Sequence, residues 1–85
     1  MAKVMVKVLF FAAAKEKVDK NEEIFTFDQT VTLGMLKQHI YARYTQLEKL
    51  APYLRWAVNQ SFVDDEQYVV LSDSEVAIIP PISGG

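Results

Sequence analysis

The chain contains no cysteine. That excludes disulfides, thiolate nucleophiles and every thiolate-based metal centre, and it fits a cytosolic location. A single histidine, His39, excludes a histidine cluster as well. No apolar run approaches the roughly 20 residues of a membrane span. The opening Met-Ala-Lys leads into an alternating stretch rather than an apolar helix, so neither membrane insertion nor a signal peptide is expected. A charge excess is missing too, since nine basic residues face eleven acidic ones. Nucleic-acid binders ordinarily carry a basic stripe, so no nucleic-acid partner is expected. Glycine and proline are scarce, with three of each, which makes their positions informative.

What remains is a single domain's worth of chain, 85 residues, enough for one sheet layer against one or two helices. The hydrophobic share is 51% against 24% charged, which excludes simple disorder. Without disulfide or thiolate–metal staples, such a domain needs a dense core or a partner.

Lys3 to Phe11 reads as a strand, with Val4, Val6, Val8 and Phe10 on one face at period two. Ala12–Val18 has helix propensity over barely two turns. Asp19 to Glu23 is a solvated turn, and Ile24–Phe27 a second strand in a hairpin-like pair with the first. Leu33, Leu36, Ile40, Tyr44 and Leu47 form one apolar stripe, which predicts the main helix from Thr32 to about Tyr44. Thr32 suits its N-cap. Gly34 costs that helix about 1 kcal/mol relative to alanine. Pro52 is expected to end any helix continuing through Gln46–Leu50. Short strands follow at Trp56–Asn59, Ser61–Val63 and Tyr68–Leu71, with Asn59-Gln60 or Asp64-Asp65-Glu66 as turns. Glu75–Ile79 is nearly all apolar, the pattern of a strand buried on both faces. The order predicts an α+β fold: a mixed sheet with one main helix across one face and the last strand parallel beside the first. That is the β-grasp, or ubiquitin-like, arrangement.

The chain divides into a folded domain, residues 1–79, and an extended tail, residues 80–85. Pro80 and Pro81 cannot continue a ladder and hold φ near −65°. From there the tail reaches about 17 Å to Gly85. Two terminal glycines arise by chance at about 0.5%. A stiff base with a tip of Gly84 and Gly85 is suited to thread a narrow channel, where another protein's active site can reach its terminal carboxylate. Adenylated by ATP, that carboxylate becomes an electrophile for isopeptide, thioester or thiocarboxylate formation.

Leu9-Phe10-Phe11-Ala12, Ala57-Val58-Asn59-Gln60 and Glu75-Val76-Ala77-Ile78-Ile79-Pro80-Pro81-Ile82-Ser83-Gly84-Gly85 together resemble the small, sulfur-carrier subunits of molybdopterin synthases. The resemblance runs nearly the whole chain, including Thr32 to His39, and the double-proline tail is its most specific part. It implies a chain without an active site or resident cofactor of its own. An E1-like adenylyltransferase would use ATP to activate Gly85, and a sulfur donor would convert it to a thiocarboxylate. The tail would then enter the large synthase subunit and give sulfur to cyclic pyranopterin monophosphate. A dithiolene needs two sulfurs, and the implied assembly is a heterotetramer of two small and two large subunits. The resemblance also implies partner-facing roles for Phe11, Lys15, Phe62 and Ile79 around the base of the tail. Two departures stand out. Ser72-Asp73-Ser74-Glu75 replaces a turn that often reads Asp-Gly-Asp-Glu, and Lys15 stands where arginine is frequent, turning a bidentate contact into a point charge.

Competing readings are a ubiquitin-like modifier, a sulfur carrier of thiamin or tRNA thiolation, and a plain docking module. His39 reads as a surface or boundary residue, and Asp64-Asp65-Glu66 as a solvated turn rather than a cation site.

Overall fold

A computed structural model describes residues 3–81. β1 (Val4–Phe10) runs antiparallel to β2 (Glu22–Phe27) and parallel to β7 (Ser74–Ile79). β7 pairs on its other side with β4 (Arg55–Val58), which turns into β5 (Ser61–Phe62). The five-stranded order is therefore β2-β1-β7-β4-β5, with the two ends of the domain adjacent at its centre. α1 (Ala12–Val18) joins β1 to β2, and α2 (Leu33–Arg43) packs across one face. A 3₁₀ helix (Thr45–Tyr53) returns the chain to β4. This is the mixed sheet with a helix across it that the residue pattern predicts.

The core lies between that sheet and α2. Val6, Val8 and Phe10 of β1 and Val76 and Ile78 of β7 meet Leu33, Leu36, Ile40 and Leu47, all buried. Thr32 caps α2, its hydroxyl oxygen accepting from the Met35 amide at 3.2 Å. Gly34 has a structural reason. Its amide donates to the Glu66 carbonyl at 2.9 Å, and a Cβ there would sit 3.2 Å from three Glu66 atoms. Glycine permits that close approach of loop to helix.

Several expectations need correction. Phe11 is not in the first strand; β1 ends at Phe10, and Phe11 is the extended N-cap of α1. β7 is not buried on both faces: Ser74, Val76 and Ile78 are buried, whereas Glu75 is exposed and Ala77 and Ile79 are half-buried. Among the described residues only one helical layer covers the sheet, so an apolar run here marks an open face. Tyr44 and Leu47 keep the buried stripe but lie beyond α2, at its C-cap and in the 3₁₀ helix. Pro52 does not stop that helix. It occupies the second position of a closing turn in which the Leu54 amide donates to the Ala51 carbonyl at 3.3 Å, a position for which its φ is already set. A small second sheet pairs β3 (Val31–Thr32) with β6 (Val69–Val70), and β3 is too short for any periodicity to mark it.

Candidate docking face and tail base

Among the described residues, no helix lies over the sheet face away from α2. Register aligns Glu22, Leu9, Ala77, Ala57 and Phe62 in one row across all five strands. In the next row toward the tail, Ile79 faces Arg55. Ala77 and Ala57 form a low floor, and the larger side chains rise around it. The resulting concavity, about 310 Å³, is lined by Leu9, Phe11, Ala57, Gln60, Phe62, Glu75, Ala77 and Ile79. Phe11 is 46% exposed and Phe62 54%, large for aromatics in a domain with a complete core elsewhere.

Local structure explains these positions. The Phe11 amide donates to the Ile78 carbonyl at 3.3 Å, and the Phe11 carbonyl accepts from Ala14 at 3.0 Å. Phe11 thus joins β7 to the start of α1. The next residue, Ala12, holds φ 48°, an uncommon left-handed value for alanine at the junction. Phe62 follows the two-residue hairpin turn Asn59-Gln60, with φ of 49° and 74°, the type I′ signature. Asn59 also clasps β7, its amide donating to the Glu75 carbonyl at 2.8 Å and its side-chain oxygen accepting from the Glu75 amide at 2.9 Å. The Arg55 guanidinium lies 3.8 Å from the centre of the Phe62 ring.

The tail leaves from the edge of this face. Pro80 is buried and Pro81 exposed. Beside them, Phe11, Ala12, Ala13, Glu16 and Ile79 complete a second concavity of about 550 Å³. Phe11, Phe62 and Ile79 therefore meet around the root of the tail. Lys15 does not line that concavity. It is exposed on α1, sharing a neighbouring hollow with Phe11. Gly84 and Gly85 lie outside the described residues. Leu9, Ala57, Ala77, Gln60 and Arg55 carried no individual sequence signal, because alternation separates the two faces of one strand but does not say which strands pair.

The departures now have local accounts. Asp73, at the position of the missing glycine, adopts φ 69°. The turn thus keeps the left-handed geometry that glycine favours, which aspartate tolerates. Its amide donates to the Met5 carbonyl at 2.7 Å. The acidic stretch is exposed, with Asp65 accepting from the Gln67 amide at 2.9 Å and Glu66 pairing with Lys37 at 3.1 Å. His39 is exposed, its ring edge-on to Phe27 at 5.0 Å.

Strongly coupled ionisable groups lie on the other side of the sheet. Burial alone would push the Glu23 carboxyl up. The Tyr44 hydroxyl, which donates to it, and the Lys20 and Arg43 cations outweigh that and hold it below its ordinary range. Arg43 Nε stands 2.6 Å from Glu23 Oε2. Burial, with the Glu66 charge behind it, pushes the Tyr41 hydroxyl up. Among the described residues no cluster of histidine, aspartate or glutamate is placed to hold a metal ion, and no helix is long and apolar enough to cross a membrane. Among the described residues, an open, largely apolar face runs up to the two prolines that follow β7.

The chain belongs to the ThiS family, whose model matches residues 8–85. It is 31% identical over 83 residues to the molybdopterin synthase sulfur carrier subunit of Caenorhabditis elegans, covering 96% of this chain and 99% of that one. Two solved structures share the fold. Small archaeal modifier protein 1 of Haloferax volcanii superposes with a TM-score of 0.84 at 17% identity, covering 95% of this chain and 99% of that one. A chain from the complex of subunits 1 and 2 of the molybdopterin-converting factor of Helicobacter pylori superposes with a TM-score of 0.72 at 20% identity, covering 96% and 100%.

Proposed function

We propose that this chain carries sulfur, as a thiocarboxylate on Gly85, to the large subunit of a molybdopterin synthase. The observation that carries the reading is the meeting of Phe11, Phe62 and Ile79 at the root of a tail that continues Pro80-Pro81-Ile82-Ser83-Gly84-Gly85. The similarity to a molybdopterin synthase sulfur carrier subunit over 96% of this chain supports it, as does the fold shared with a chain from the complex of subunits 1 and 2 of a molybdopterin-converting factor.

The chemistry follows from the terminus. An E1-like partner joins the Gly85 carboxylate oxygen to the α-phosphorus of ATP, releasing pyrophosphate. Hydrosulfide from the sulfur donor displaces AMP from the acyl carbon, and loss of its proton leaves the thiocarboxylate. On the large subunit, the thiocarboxylate sulfur bonds to a carbon of the pyranopterin precursor and displaces an oxygen substituent from it; water then cleaves the acyl–sulfur bond, which returns the Gly85 carboxylate and leaves the sulfur on the product. Two sulfurs per dithiolene call for two charged chains, met by a heterotetramer with one tail for each large subunit. Gly85 is the reacting residue, Gly84 and the prolines thread and aim it, and Phe11, Lys15, Phe62 and Ile79 face the partner. Expression and delivery belong to the cytosol.

The fold shared with an archaeal modifier favours one rival, conjugation of Gly85 to a target amine. Mass analysis of the chain after incubation with its activating enzyme, ATP and a sulfur donor separates the two. The carrier gains the mass of one oxygen replaced by sulfur and, mixed with the large subunit and pyranopterin precursor, yields molybdopterin. High-mass adducts without the sulfur exchange would overturn the assignment.

A further inference from the structure

Arg55 belongs to no ion pair among the described residues, where the four pairs are Lys3–Asp28, Lys20–Glu23, Lys37–Glu66 and Arg43–Glu23. It is exposed, yet it has a defined position. Two residues before Ala57 on β4, it shares the open face, and its Cα partner is Ile79, the last strand residue before Pro80. Phe62 pairs with Ala57, so Arg55 is its diagonal neighbour, within reach of a long side chain. The guanidinium sits 3.8 Å from the ring centre, well inside cation–π range.

We propose that Arg55 is the positioning residue of the docking face: it steadies the Phe62 ring and offers a cation beside the tail root to a carboxylate on the partner. This rests on the sulfur-carrier reading. Phe62 lies on a two-residue edge strand, and its cross-strand neighbour Ala57 offers only a methyl group to support the ring. Arg55 supplies the missing side. A ring already held in place loses less freedom on docking than a mobile one. Stacking occupies the guanidinium's face and leaves its N–H edge available for a carboxylate. The acidic residues of this face lie outside the Arg55–Ile79 row: Glu22 is at the far end of the row that ends in Phe62, and Glu75 is opposite Lys7. Exposed Lys15 shares a hollow with Phe11 and Glu22 at the β2 end of the apolar row, whereas at the Phe62 end Arg55 stands over the ring with no carboxylate among the described residues paired to it. The complementary surface is an apolar knob with a carboxylate at its rim.

The test measures association of the full chain with the large synthase subunit of the same source at about 50 mM and about 500 mM NaCl, which spans strong and weak screening. Arg55→Gln should bind about 5–20-fold more weakly at low salt, and the deficit should shrink at high salt, as for a rim charge. Arg55→Glu should bind more weakly still. Arg55→Lys should recover the salt dependence but dissociate faster than the parent, because an ammonium does not stack as a plane. Melting temperatures should stay at the parent value; a merely structural role would lower them and leave the salt dependence alone. Without any partner, the Arg55 Nε–H proton should show a ring-current shift that Phe62→Leu removes. Arg55 variants that bind within about twofold of the parent while Phe62→Ala binds poorly would overturn the inference and leave the carrier reading standing. A parent chain that shows the ring-current shift but never binds the large subunit would instead overturn the carrier reading, and with it the role given to Arg55.

Discussion

At the scale of single residues, the two ends of the site behave oppositely. Phe11 and Phe62 are exposed side chains on ordered backbone, so truncation removes contact area without hollowing the core. Phe11→Ala or Phe62→Ala should weaken large-subunit binding by about 1–3 kcal/mol. Core truncations such as Leu36→Ala should cost about 2–5 kcal/mol of stability. Paired calorimetry and thermal melts check this; a steep loss of stability with unchanged affinity would make the two phenylalanines core residues. Gly84 matters through width and backbone freedom. Gly84→Val should leave the melt unchanged and slow both adenylation and transfer from a preformed thiocarboxylate, since both active sites admit the same two residues. Separate assays of the two steps read it. The turn residue Asp73 holds φ 69°. Asp73→Gly should be at least as stable as the parent by chemical denaturation, and Asp73→Val about 1–2 kcal/mol less stable. These residues differ in legibility. Gly84 and Gly85 stand out in a glycine-poor chain, whereas Asp73 in a left-handed turn looks like any aspartate until its backbone is placed.

At the scale of elements, β2 is tied to the end of α2 by one polar cluster. Glu23 accepts from Tyr44 and pairs with Lys20 and Arg43. Its carboxyl is held below its ordinary range in the folded chain. That contribution is present above the unfolded value, about pH 4.3, and is lost as pH falls through the lower folded value. Glu23→Gln should therefore cost about 1 kcal/mol near neutrality, and the gap to the parent should close in melts taken at progressively lower pH below about 4. A gap that widens on acidification would reverse the sign. The strands, α1 and the capped main helix were legible, because period-two and helical spacing report which side chains share a face. β3 was not, since two residues carry no period. The open side of β7 was misread because alanine and isoleucine look equally apolar whether covered or bare.

At the scale of the whole molecule, β7 stands between β1 and β4, so the last strand completes the middle of the sheet rather than an edge. A chain ending at Asp73 should show no cooperative melt, whereas one ending at Pro81 should melt like the full chain and fail in both adenylation and sulfur transfer. A cooperative transition without β7 would contradict this. The alternation of strands and helices, the stripe that packs α2, the lack of cysteine and the glycine pair behind two prolines can all be read along the chain. All of these depend on residue type and spacing along the chain. Strand pairing was needed to show that Leu9, Ala77, Ala57 and Phe62 share one row, that Phe11 turns from the strand onto the tail root, and that Arg55 lies on Phe62. Those relations depend on which strands pair and in what register, and burying the Val6, Val8, Val76 and Ile78 face against α2 selects one register because a one-residue slip would turn the opposite face inward.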